Sequence, residues 1–70
     1  MSREMELRHL ELTNRHIAEG EQRIAEQKAL IAELERRGRD TTTANELLGS
    51  FEEMLGLMMR HRDLILQELA

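Results

Sequence analysis

The stretch Arg36-Arg37-Gly38-Arg39-Asp40-Thr41-Thr42-Thr43 interrupts an otherwise continuous helical pattern and decides the fold. Gly38 suits the left-handed residue just past a helix end, because it has no Cβ to clash there. Arg36 and Arg37 put positive charge on the preceding turn, where the helix dipole favours it. Asp40 is a good N-cap for a second helix, and Thr43 with Glu46 offers an alternative capping box a few residues later. The chain therefore reads as an all-α, two-helix antiparallel hairpin in a single domain. Helix 1 is expected over about 3–37, the turn over about 38–40 and helix 2 over about 41–69.

Upstream of the turn, Leu10, Ile17, Ile24 and Ile31 recur every seventh residue and define heptad position a. The matching d positions are Thr13, Gly20, Gln27 and Leu34, so this hairpin seam is narrow and half polar. Ala18, Ala25 and Ala32 widen it with small side chains. On the outer surface Glu4/Arg8, Glu11/Arg15, Glu19/Arg23, Glu33/Arg37 and Glu35/Arg39 are all spaced i,i+4, with Glu first, the better orientation.

Downstream, the a positions are Ala44, Phe51, Met58 and Ile65, and the d positions are Leu47, Met54, His61 and Glu68. Leu48, Leu55 and Leu69 fall at e, and Leu57 and Leu64 at g. Apolar residues at a, d, e and g cover more than the stripe one neighbouring helix needs. Helix 1 has only a narrow seam to offer. Helix 2 is therefore expected to be the inner helix, packed on helix 1 and on another chain, in a dimeric four-helix bundle. The expected core and oligomer interface comprises Leu47, Leu48, Phe51, Met54, Leu55, Leu57, Met58, Leu64 and Ile65.

Antiparallel counting about a turn centred at Arg39 and Asp40 sets Ile31 against Leu48, Ile24 against Leu55 and Leu10 against Leu69. Ile17 then falls opposite Arg62. Gly20 falls beside Met58 and Met59, leaving room for a bulky methionine, and the first residues of helix 1 overhang.

Composition agrees with a bundle. The chain has 70 residues, 34% of them charged, with no Cys or Pro and one Phe. So short a chain rarely buries enough apolar surface alone, and without cysteine it has no disulfide to help. The net charge of -4 comes entirely from the second half: the segment before Asp40 balances its Arg/Lys against its Glu. An acidic second half argues against nucleic acid and against an anionic membrane surface. No apolar run is long enough to span a bilayer, and Met1-Ser2-Arg3-Glu4-Met5-Glu6 lacks the apolar stretch of a signal peptide. A cytoplasmic protein is expected.

Few residues suggest chemistry. His9 and His16 share a face but sit about 10 Å apart along the axis, too far to chelate one ion. His16 is expected near Arg62 and Asp63, with His61 close by, and these groups could bind a proton or a metal. A solvent-rimmed polar layer is the plainer reading. Ser2 and Ser50 are isolated from any base. No catalytic site, cofactor or metal site is expected, and enzymatic activity is not. Met54, Met58 and Met59 read either as an adaptable groove for a partner helix or as gap-filling core, and the second is preferred. Gly49 and Gly56 share a face of helix 2, where they either admit another helix or are tolerated surface glycines. Arg36, Arg37 and Arg39 at the tip form a candidate contact surface for phosphate or an acidic partner, a weak nucleic-acid signal without aromatic residues.

The segments His16-Ile17-Ala18-Glu19-Gly20-Glu21-Gln22-Arg23-Ile24-Ala25, Gly38-Arg39-Asp40-Thr41-Thr42, Phe51-Glu52 and His61-Arg62-Asp63 resemble a group of short uncharacterised proteins of soil and plant-associated bacteria. The resemblance spans most of the chain, from about residue 9 to 68. Its elements are a heptad seam, a cap and a core Phe, so it implies a fold and no activity. The functional expectation is a homo-oligomeric protein–protein interaction module. The alternatives are a regulatory hairpin docking on a different protein and a weak nucleic-acid binder through the arginine turn.

Overall fold

Ser2 starts the first helix: its Oγ accepts the Met5 N–H at 3.1 Å and satisfies one of the free donors of the first turn. In the computed structural model, which describes residues 2–70, α1 runs over Arg3–Arg36 and α2 over Thr42–Leu69. The described residues contain no strand. Among the described residues no helix is long and apolar enough to cross a membrane. The helices lie side by side in a rod of 53 × 14 × 13 Å.

The turn is built from the residues that announce it. Gly38 has φ +67. Its N–H donates to the Glu35 carbonyl at 3.0 Å, and the Arg39 N–H donates to the Leu34 carbonyl at 2.9 Å. These two bonds close a Schellman motif and turn the chain back along α1. α1 thus ends one residue earlier than expected, and α2 begins one residue later. Asp40 Oδ1 accepts the Thr42 hydroxyl at 2.7 Å and the Thr42 N–H at 3.0 Å. Asn45 Nδ2 donates to the carbonyl and the hydroxyl of Thr41, each at 3.0 Å. Thr43 and Glu46 form no capping box among the described residues.

The hydrogen bonds from Thr42, side chain first and backbone second, hold the Asp40 carboxyl below its ordinary 3.8. A carboxylate lowered by folding contributes stability above its unfolded value and loses it as pH falls through the lower folded value. Urea denaturation at a series of acidic pH values should show this. The wild type loses stability below 3.8 more steeply than Asp40→Ala, which has no carboxylate to protonate.

Every buried residue of α1 sits at a or d of the heptad. Ile17, Ile24 and Ile31 are the apolar ones, Thr13, Gln27 and Glu6 the polar ones. Leu10 and Leu34 are half-buried at the ends of the same seam. Gln27 donates from Nε2 to the Ala44 carbonyl at 2.9 Å, so this buried amide is satisfied and ties the two helices near the turn.

α2 meets this seam with a and e, not with a and d. Leu48, Phe51, Leu55, Met58 and Leu69 are half-buried there and Ile65 is buried. Leu47 and Met54, expected in the core at d, are exposed. The e series holds three leucines and Arg62, whereas the d series turns polar at His61 and Glu68. Burying e therefore removes more apolar surface from water. Arg62 stays at the seam's edge, where its Nη1 donates to Asn14 Oδ1 at 3.3 Å.

The register is also shifted from simple counting by one helical turn. Leu55, expected opposite Ile24, reaches Gly20 one turn away: a Cβ built on Gly20 would stand 3.5 Å from Leu55 Cδ1, and 3.1 Å from Cε of Met58, which lies beside Gly20 as expected. Arg23 lies over Phe51 and Gln27 reaches Ala44. The residues between the helices run back beside the last turn of α1 before α2 begins, so each α2 residue sits lower than a tight turn would set it. For the same reason the N-terminus does not overhang. Arg3 Nη1 donates to the Leu69 carbonyl at 3.1 Å.

Candidate interaction surface

Helical spacing fixes which side chains flank the seam. Beside the d row of α1 lie the g row, His9, His16, Arg23 and Leu30, and then the c row with Leu12 and Glu19. Beside the a row of α2 lie Leu47, Met54 and His61, then Leu57 and Leu64. Two depressions show that these rows share one face of the hairpin. The larger, about 440 Å³, lies between His9, Leu12 and His16 of α1 and His61 and Leu64 of α2. The smaller, about 150 Å³, continues along the same groove between His16, Arg23 and Met54.

This face holds the apolar surface that the hairpin fails to bury. Leu12, Leu30, Leu47, Met54, Leu57 and Leu64 are all on it, exposed by 46%, 48%, 45%, 57%, 53% and 60%. Of the other exposed large hydrophobic residues, Met5 also falls on this face, while Leu7 and Leu66 are on the opposite one. The expected interface on α2 thus divides in two. Leu48, Phe51, Leu55, Met58 and Ile65 pack against α1, and Leu47, Met54, Leu57 and Leu64 do not.

The end of the groove nearest the termini is polar. Glu6 is only 5% exposed, and its Oε1 has no hydrogen-bond partner. His9, Thr13, His16, His61 and Glu68 line the same depression. Asp63, expected beside His16, is exposed and does not line it: it falls at f, on the far side of α2, whereas His61 at d lines the depression as expected. Among the described residues no group of three or more His, Asp or Glu is placed to hold a metal ion. Glu6 is one heptad before Thr13, so continuing the d row by seven residues would have found it. A buried carboxylate oxygen without a partner costs about 1–3 kcal/mol. Glu6→Leu is expected to recover a cost of that order and to raise the urea midpoint, with the helix content unchanged.

The arginine tip is largely accounted for locally. Arg36 and Arg37 both pair with Glu33, the latter through Nε to Oε1 at 2.9 Å. Arg39 makes no pair with Glu35, since it has already left the helix. Arg8 pairs with Glu4 at 3.1 Å as its spacing predicts. Arg23 leaves Glu19 and places its guanidinium 5.6 Å from the centre of the Phe51 ring.

Gly49 and Gly56 lie away from the groove, and a Cβ on either meets nothing within 4 Å. The hairpin itself gives them no packing role. Alanine at each is expected to stabilise the chain by about 1 kcal/mol through helix propensity alone. Thermal denaturation of Gly49→Ala and Gly56→Ala measures this, and a loss of stability would reveal something packed on that side.

No family model matches the chain, and neither a curated protein nor a solved structure matches it.

Proposed function

We propose that this chain is a small cytoplasmic homo-oligomeric interaction module, in which a second copy covers the Leu47, Met54, Leu57 and Leu64 face to complete a dimeric four-helix bundle. The observation that carries this reading is the uncovered apolar face, supported by its area. The chain exposes 5408 Å² for 8.2 kDa, whereas a folded monomer of that mass exposes about 4,500 Å². The surplus is close to the roughly 800 Å² that each partner contributes to a standard interface. Contiguous apolar surface of this kind on a monomer marks an association site. The protein–protein function then belongs to the outer surface of the bundle.

A regulatory hairpin that docks on a different protein is the second reading. Met54 favours it, since an exposed, flexible thioether adapts to varied partners. Thermal unfolding over a concentration series separates the two. A homo-oligomer melts at a temperature that rises with protein concentration. A low, concentration-independent transition would instead support the hairpin that needs another protein.

A further inference from the structure

We propose that the second copy seats antiparallel on the grooved face, about a two-fold axis that crosses the hairpin beside Gly20 and Leu55. This inference rests on the self-assembly reading above and adds the orientation and register of the interface. The exposed residues of α2 read the same way in both directions. Laid on itself in reverse, α2 sets Leu47 against the partner's Leu64, Met54 against the partner's Leu57 and Ser50 against the partner's His61. The centre of this pairing falls between Leu55 and Gly56.

The groove-facing rows of α1 have a reverse pairing of their own, centred on Glu21. Leu12 meets the partner's Leu30, and Glu19 meets the partner's Arg23. His16 meets the partner's Glu26, and His9 meets the partner's Glu33. Apart from Met5, which this pairing sets against the partner's Arg37, apolar residues meet apolar ones, carboxylates meet arginine or imidazole, and no like charges oppose. Arg23 is already held over the Phe51 ring at the edge of the groove, and stacking on a ring leaves the in-plane N–H donors of a guanidinium free.

The two centres come from separate helices, yet they lie at one level of the hairpin. Gly20, next to Glu21, is the residue packed against Leu55 and Met58. One axis therefore satisfies both helices, as an isologous interface requires. The other two-fold arrangement, with the axis along the bundle, lays α2 on the partner's α1. It sets Glu19 near the partner's Leu57, Arg23 near the partner's Met54 and His16 near the partner's His61. That arrangement buries charges against apolar side chains.

The chain has no cysteine, so labels can be placed singly. Spin labels on Glu53→Cys and Gln67→Cys, both on the same outer row of α2, measure the orientation by pulsed dipolar spectroscopy. Light scattering on the same samples gives the mass. In the proposed register the two Glu53 positions are about 8 Å apart along the axis and the two Gln67 positions about 35 Å. A dimer with a Gln67 distance longer by roughly 20 Å supports the proposal. A dimer with equal distances at the two sites overturns the register and leaves the self-assembly reading standing. A monomeric mass overturns both. Charge reversal adds an independent arm. Glu19→Arg and Arg23→Glu should each weaken association roughly tenfold, because each makes two like-charge contacts by symmetry. The double variant should recover most of that loss, and failure to recover would contradict the Glu19–Arg23 pairing.

Discussion

Leu57→Glu is expected to convert the proposed dimer to single chains of 8.2 kDa. Leu57 is 53% exposed in the isolated hairpin, so the substitution removes little of its own core. Glutamate also has nearly the helix propensity of leucine. In the proposed bundle, however, two copies of the side chain lie near the symmetry axis. Association buries only the exposed half of Leu57, worth about 0.8–1.5 kcal/mol, and this is lost twice. Each introduced carboxylate must also be desolvated beside Met54. Together these terms raise the dissociation constant by about a hundredfold or more. Leu66→Glu is the matched control. Leu66 is 45% exposed but lies on the opposite face, so its substitution is expected to leave the mass unchanged. Sedimentation equilibrium on both variants reads the difference.

Ile24→Ala is expected to remove most of the helical signal at room temperature. Ile24 is 8% exposed and sits in the middle of the seam. Truncating a buried isoleucine to alanine costs about 2–5 kcal/mol. A core of this size supplies only about 3–5 kcal/mol in total. The described chain has just four buried hydrophobic residues, Ile17, Ile24, Ile31 and Ile65, so no neighbour can absorb the loss. Leu30→Ala, at 48% exposure, should leave hairpin stability nearly unchanged in the dissociated chain and weaken association instead. Circular dichroism with urea denaturation separates these outcomes.

The residues that made the hairpin legible act locally. Gly38 has one conformational advantage and uses it; Asp40, expected as the N-cap, stands one residue before the actual N-cap Thr41 and accepts the Thr42 N–H from there. The heptad of isoleucines in α1 also leaves little choice, because no competing stripe of large apolar residues runs beside it. α2 offers such a competing stripe. Leu47-Leu48, Met54-Leu55, Leu57-Met58 and Leu64-Ile65 are apolar pairs adjacent in sequence that spread apolar surface over about 100° of the wheel each, so any of several stripes looks able to face α1. Only the lower half of the helix breaks the tie, where e ends on Leu69 while d ends on His61 and Glu68.

The register was hidden for a different reason. It depends on how the residues after Gly38 run back along α1, a matter of backbone path rather than of side-chain pattern. Asp63 is kept from His16 by helix face and not by register, since it falls at f while His61 falls at d beside the groove. Ser2 and Glu6 were both within reach of the sequence. Serine ahead of a helical run is a common N-cap, and Glu6 continues the d row.

Multi-angle light scattering on the wild-type chain, over a concentration series with circular dichroism on the same samples, tests the central claim most directly. A highly helical species at twice 8.2 kDa, unchanged on dilution through the micromolar range, is the result predicted for a face covered by a second copy. A helical species that stays at 8.2 kDa at every concentration would contradict it.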